Sequence, residues 1–148
     1  KKAFTMIELI FVIGILGVLA AIAVPRLSAT RRDAEVSKIA QSIMTGAGEV
    51  AAYAMSHASV DSNLSSMSNA ISSLVSSSEA ILDVNKADIN FGGSLCATIM
   101  IDSNASTGTD TLNVTFSSVN TSEKCLALQG AVDAGKYPMK LRGVNVTY

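Results

Sequence analysis

The chain is poor in the residues that most often build catalytic and metal sites. It has no tryptophan, one histidine and two cysteines, and only 5% of its 148 residues are aromatic. The lone His57 and two distant cysteines match no metal-ligand spacing, and loop 102–110 does not have the glycine and the bidentate glutamate of an EF-hand at their positions. The sequence therefore predicts no metal and no cofactor. It also contains no nucleophile-elbow or phosphate-loop motif, so an enzyme is not expected.

Charge is scarce and balanced. The chain has 11 basic and 12 acidic residues, a net charge of -1. No overall positive field favours nucleic acid, and no specific nucleic-acid partner is predicted. Three basic residues near the C-terminus could form a DNA-binding patch, although ordinary surface charge explains them as well: Lys136, Lys140 and Arg142.

One long apolar run contrasts with this polar background. Residues 4–24 carry a single charged residue, Glu8, and the run ends at Pro25 and Arg26. As a helix these 21 residues measure about 31 Å, enough to span a hydrocarbon core of roughly 30 Å. A charge inside such a segment costs about 2.5–3.5 kcal/mol, so its default interpretation is functional.

A secretory signal peptide is the alternative interpretation of this run, because it also combines a basic start with an apolar stretch. The basic start here is only Lys1 and Lys2, and no small-x-small cleavage site precedes a polar mature start. A helical pattern also continues beyond Pro25. These features argue against a secretory signal peptide.

The N-terminal segment reads Lys2-Ala3-Phe4-Thr5-Met6-Ile7-Glu8-Leu9. It closely resembles the class III signal of type IV pilins and type II secretion pseudopilins, and the resemblance covers about residues 1–33. It implies that a prepilin peptidase cuts between Ala3 and Phe4, removes residues 1–3 as a leader and methylates the new amine. A processed subunit is then expected to begin at Phe4. The family usually has glycine before the cut, and Ala3 departs from that pattern.

The resemblance also assigns a role to Glu8. It implies that the carboxylate pairs with the terminal amine of Phe4, on the same or a neighbouring subunit, because a paired charge is much less costly in an apolar medium than an unpaired one. The alternative is a glutamate at the membrane edge whose side chain reaches the headgroups. Gly14, Gly17 and Pro25 fall where many such subunits carry helix-weakening residues.

The apolar pattern predicts one long helix over about residues 4–55. Beyond Pro25, one face repeats apolar residues at three- and four-residue steps: Val36, Ile39, Ala40, Ile43, Ala47, Val50, Ala51 and Ala54. We therefore expect residues 4–28 to form a membrane or filament-core segment. Residues 29–148 are expected to form a globular head that includes the amphipathic half of the helix.

The head is predicted to be a small antiparallel sheet, which gives the α+β pilin fold. Spacing of Leu64, Met67, Ile71 and Leu74 predicts one or two short helices, and residues 80–82 a further helical turn. Residues 95–101 and 112–116 predict a hairpin around loop 102–110. Residues 123–132 predict a helix, and residues 140–148 a last strand.

Two modifications follow if the head lies outside the cytoplasm, as the resemblance implies. Cys96 and Cys125 can then form a disulfide, with two unpaired buried thiols as the alternative. Asn63 and Asn104 lie in acidic-x-Asn-x-Ser sequences that resemble the extended bacterial N-glycosylation sequon, although chance is a competing explanation in a chain rich in these residues.

These features together predict a structural subunit of a helical type IV pilus filament, a homo-oligomer that leaves the inner membrane for the cell surface. The resemblance implies prepilin peptidase and the pilus assembly machinery as partners. Two alternatives stay open. One is a pseudopilin of a type II secretion system, whose short filament remains in the periplasm, and the other is a membrane-anchored binding module that never polymerises.

Overall fold

A computed structural model describes residues 4–104, 108–118 and 122–142. Four α-helices span Met6–His57 (α1), Leu64–Met67 (α2), Asn69–Ser76 (α3) and Glu123–Ala131 (α4), and a 3-10 turn spans Ala134–Lys136. The strands are Ala80–Asp83 (β1), Lys86–Phe91 (β2), Ser94–Asn104 (β3), Thr109–Phe116 (β4) and Met139–Arg142 (β5). The predicted α+β class, a long N-terminal helix followed by an antiparallel sheet, is confirmed and is consistent with the pilin fold.

The long helix was predicted over about residues 4–55 and is observed at Met6–His57. Pro25 lies inside it, although proline has no N–H to donate to the carbonyl four residues earlier. The chain divides into two compact units, Lys1–Glu35 and Val36–Tyr148. Of the described elements, the first unit contains only the N-terminal part of α1. The second unit contains the rest of α1 and the other helices and strands.

The hydrophobic core of the second unit is built on the predicted face of α1. Seven apolar residues of that face are buried: Val36, Ile39, Ala40, Ile43, Ala47, Val50 and Ala54. Ala51, the eighth member of the predicted face, is half-buried at its edge. The inner face of the sheet completes the core with residues such as Ile89, Ile99 and Leu112, none of which has exposed side-chain surface.

The strands form one sheet in the order β1-β2-β3-β4-β5, and all neighbours are antiparallel. Buried and half-exposed residues alternate along β2 and the first part of β4, as a sheet with one face in the core requires. The predicted β3–β4 hairpin is confirmed, with longer strands and a shorter loop than predicted. The last predicted strand is confirmed from 140 to 142, and its residues 143–148 lie outside the described part of the chain.

The prediction of a helical turn at residues 80–82 was wrong, because these residues form β1. This strand pairs with β2, which the sequence did not predict, through a two-residue turn at Val84 and Asn85. Asn85 has φ of 58°, a left-handed conformation that asparagine tolerates better than most residues. Four residues are too few to reveal a period, so the pairing with β2 determined the conformation here.

Gly46 and Gly48, both in α1, form a matched pair for testing how closely α3 packs against α1. A Cβ added at Gly46 would lie 2.9 Å from Cγ1 of the buried Ile71, whereas one at Gly48 would meet nothing within 4 Å. We expect Gly46→Ala to lower the free energy of unfolding by about 1–2 kcal/mol, because α3 must shift. Gly48→Ala should raise it by about 0.5–1 kcal/mol through helix propensity. Chemical denaturation of fragment 29–148 measures both, and equal signs for the two changes would contradict the close packing.

Glu49 of α1 caps α3 across the core boundary. Its carboxylate accepts from Ser68 Oγ at 2.7 Å and from Ala70 N at 3.0 Å, and Ser68 Oγ in turn accepts from Ile71 N at 3.0 Å. The backbone N–H of Ala70, followed by the Ser68 hydroxyl, holds the pKa of Glu49 below its ordinary value. The ionised carboxylate therefore stabilises the fold above the ordinary glutamate pKa, and this stabilisation disappears as pH falls through the lowered pKa.

We expect Glu49→Gln to cost about 1 kcal/mol at pH 7, a modest value because the side chain is partly exposed. The difference from the unchanged chain should shrink as pH falls below the ordinary glutamate pKa and through the lowered pKa of Glu49, where the native carboxylate is also neutralised. Denaturation of fragment 29–148 as a function of pH measures this difference. A gap that stays constant over that range would show that the charge of Glu49 has no part in the cap.

Candidate functional site

The first turn of α1 is organised by Thr5 and Glu8. Thr5 precedes the first helical residue, and both its backbone N and its Oγ1 donate to Glu8 Oε2, at 2.8 and 2.7 Å. Glu8 N donates back to Thr5 Oγ1 at 3.3 Å. This reciprocal pattern is a capping box, which satisfies N–H groups that lack partners at a helix start.

The sequence prediction missed the role of Thr5. The signal was present, because a threonine followed three residues later by glutamate, before an apolar run, is the sequence pattern of a capping box. Phe4 lies beside this turn and is 84% exposed. Ala3, the other residue predicted to take part in processing, lies outside the described residues. Phe4, Thr5 and Glu8 thus occupy one exposed helix start.

Beyond Glu8 the helix exposes apolar side chains around its surface. From Met6 to Leu27 its large hydrophobic residues are at least 50% exposed. An open groove of about 470 Å³ lies on this surface. It is lined by Ile10, Phe11, Gly14, Ile15, Val18 and Leu19. By length and composition, α1 is long and apolar enough to cross a membrane. An apolar surface of this extent marks a membrane or protein contact.

The N-terminal sequence also matches a known family model. Residues 1–24 match the model described as the prokaryotic N-terminal methylation motif. The chain carries the class III signal of type IV pilins and pseudopilins. The match supports a pilin-like or pseudopilin-like precursor, and the motif with its apolar helix fits anchoring in the inner membrane. No curated protein and no solved structure matches the chain.

The predicted helix-weakening residues all lie within α1. A Cβ at Gly14 or Gly17 would meet nothing within 4 Å, so neither glycine is required by close packing in the described chain. Pro25 is likewise surrounded by exposed residues. That these three residues weaken the helix stays a prediction.

Cys96 of β3 and Cys125 of α4 are joined by a disulfide, with their Cα atoms 5.0 Å apart. Both residues are buried, at 1% and 4% exposure. Ser122 caps the helix by accepting from Cys125 N at 3.3 Å. The bridge therefore fastens α4 to the sheet beside the buried Leu128.

The two sequon asparagines lie at different places in the second unit. Asn63 is exposed and is the N-cap of α2. Asn104 is exposed at the end of β3, and Ser106 of its sequon lies outside the described residues.

The possible basic patch is largely occupied by ion pairs. Arg142 Nε lies 2.9 Å from Oδ2 of Asp110, which is only 3% exposed, and Arg142 Nη1 donates to Ala58 O at 3.2 Å. Lys136 lies 3.8 Å from Asp133. Arg142 thus joins β4, β5 and the residue after α1. Across residues 4–104, 108–118 and 122–142, no group of three or more His, Cys, Asp or Glu side chains is placed to hold a metal.

Proposed function

We propose that this protein is a structural, non-catalytic subunit of a helical filament, and that the filament is a surface type IV pilus. Residues 1–3 are the leader, residues 4–28 anchor the subunit in the inner membrane and later fill the filament core, and residues 29–148 form the head. The observation that carries the proposal is the methylation motif at the start of a helix whose large hydrophobic side chains from Met6 to Leu27 are all exposed.

Burial of the exposed apolar helix among neighbouring subunits keeps its side chains out of water once the subunit has left the membrane. Each Å² of apolar surface removed from water contributes roughly 25 cal/mol, and lipid gives the same shelter before assembly. The subunit therefore moves between two apolar environments. Cytoplasmic motor ATPases and a membrane platform are needed to extract it, as the pilin-like signal implies.

Glu8 and the freed amine of Phe4 set the register of that assembly. Both hydrogen bonds from Thr5 reach Oε2 of Glu8, so Oε1 can accept from the amine of a neighbouring subunit without loss of the capping box. In a low-dielectric core, an arriving amine lowers the cost of burying a carboxylate already in the filament. Glu8 is in this way both a helix cap and the assembly residue.

A surface pilus is favoured over a secretion pseudopilus by the polar, serine- and threonine-rich head and its cysteine pair. Shearing of intact cells, followed by immunoblotting of the sheared material and the periplasm, tests this choice. We expect the protein in the sheared surface fraction. Its confinement to the inner membrane and periplasm would instead favour the type II secretion pseudopilin.

A membrane-anchored module that never polymerises is tested by comparing two purified forms. The full chain should form fibres when detergent is removed, whereas the protein without residues 1–28 should stay monomeric. Fibres from both forms would place the assembly surface in the head, and fibres from neither would favour the non-polymerising module.

A further inference from the structure

The chain contains five Asn-x-Ser/Thr sequences, and only two of them carry an aspartate two positions before the asparagine. The asparagines are Asn63, Asn104, Asn113, Asn120 and Asn145, and the first two follow Asp61 and Asp102. Of these two sequons, only that of Asn63 lies wholly among the described residues. We propose that Asn63 accepts an N-linked glycan from an oligosaccharyltransferase that requires the acidic residue, which rests on export of the head in the proposed function.

The folded turn can accommodate an Asn63 that already carries a sugar. Ser65 N and Ser65 Oγ donate to Asn63 Oδ1 at 3.0 and 2.8 Å, and Asn63 N donates to Asp61 Oδ1 at 2.9 Å. Within the described part of the chain, every hydrogen bond of the Asn63 side chain thus uses Oδ1, whereas a sugar is attached through Nδ2. The glycosylated product keeps the cap of α2 intact.

A surface groove beside Asn63 has room for the first sugar. It measures about 230 Å³ and is lined by Ser62, Asn63, Leu82, Asp83 and Val84. Val84, in the β1–β2 turn, is 72% exposed, and the Asp83 side chain is 66% exposed. An amphipathic sugar ring covers the apolar Val84 and presents hydroxyls to the carboxylate of Asp83. A glycan also solubilises the surface it covers.

The transfer step is balanced with one co-reactant, a glycan linked to a lipid pyrophosphate. Nδ2 of Asn63 forms a bond to C1 of the sugar, and the bond from C1 to the phosphate oxygen breaks. The lipid pyrophosphate leaves with the bonding electron pair, and Nδ2 loses one proton to a base of the transferase. Asp61 meets the acidic requirement, because an aspartate in open chain is already ionised at neutral pH.

The neighbouring Leu64 determines when the transfer takes place. Its side chain is fully buried, so residues 61–65 cannot enter a transferase while Leu64 is packed in the core. A four-residue helix is not stable by itself, and α2 can therefore open locally or form late. Transfer accordingly precedes the final packing of the head.

Asn113 provides an internal negative control. It lies within β4 opposite Met100, its Nδ2 donates to Asp102 Oδ2, and the residue two positions earlier is Thr111. It therefore lacks both the acidic residue and a free amide nitrogen. A transferase that reads only Asn-x-Ser/Thr would find Asn113 in unfolded chain, whereas the proposed transferase would not.

Mass spectrometry of the full chain from the cells that make it tests the proposal. Trypsin places Asn63 alone of the five sequons in peptide 39–86, because no lysine or arginine lies inside it. We expect this peptide to carry a glycan mass that fragmentation locates on Asn63. Asp61→Asn and Ser65→Ala should each lose the glycan at least about tenfold, Ser65→Thr should retain it, and Asn113→Gln should change nothing.

Two results would overturn the proposal: a bare peptide 39–86, or a glycan that persists in Asp61→Asn. The state of Cys96 and Cys125 in the same sample separates this failure from failure of the proposed function. Oxidised cysteines with a bare Asn63 show an exported head without the glycan. Reduced cysteines with a bare Asn63 overturn the glycan and count against export itself.

Discussion

Glu8→Gln leaves the subunit in the membrane and reduces assembled filament by at least about tenfold. Glutamine also serves at the third position of a capping box, so the start of α1 and its bonds to Thr5 are kept. Only the charge is lost, and with it the pairing partner of the Phe4 amine. A tenfold loss corresponds to about 1.4 kcal/mol, well within the cost of leaving a buried amine unpaired. The measurement compares sheared filament with membrane-bound subunit by immunoblotting.

Thr5→Ala is the matched control for this prediction. It removes the capping partner at a cost of about 1 kcal/mol in helix stability but leaves the carboxylate in place. We expect it to assemble nearly normally. If Thr5→Ala fails as completely as Glu8→Gln, or if Glu8→Gln makes normal filaments, Glu8 acts as a helix cap and not as an assembly charge.

Replacement of both Cys96 and Cys125 by alanine lowers the free energy of unfolding of fragment 29–148 by about 3–4 kcal/mol. The bridge closes a loop with a sequence separation of 29 residues, and a loop of this size accounts for a loss in that range. The largest effect is expected around α4, because Cys125 and Leu128 are the two buried residues of that helix, Glu123–Ala131. Urea denaturation followed by circular dichroism measures the loss.

Reduction of the unchanged fragment supplies the control for the disulfide. A reductant should bring its stability close to that of the double variant, since it opens the same loop, and should leave the double variant itself unaffected. A double variant within about 1 kcal/mol of the oxidised fragment would mean that packing of Leu128 and Val132 alone holds α4 on the sheet.

The sequence predicted the elements that have a long, consistent period. The face from Val36 to Ala54 repeats at helical spacing over five turns, so it located the helix and its core side to within about two residues. The β3–β4 hairpin was found for a similar reason, because a seven-residue apolar run and an alternating run flank a turn-rich loop. The order of the strands could not be predicted, since it depends on long-range contacts.

Short elements failed where tertiary pairing overrides local preference. The segment at residues 80–82 has no strand signal of its own and becomes β1 only beside β2. In the candidate site, Glu8 stood out because a charge is costly in an apolar run, whereas Thr5 did not. Thr5 caps the helix through its hydrogen bond to Glu8, and the sequence shows this bond only as the spacing of three residues between them. Arg142 was assigned to a surface patch because its buried partner, Asp110, lies 32 residues away.

The mass of the N-terminal tryptic peptide of the mature protein tests the central claim most directly, because processing at Phe4 creates the amine that the assembly mechanism requires. We predict a peptide that covers residues 4–26 and is heavier by one methyl group, on the amine of Phe4. A mature protein whose N-terminal peptide still includes Ala3 would contradict the account, because its Phe4 nitrogen would remain an uncharged amide with nothing to offer Glu8.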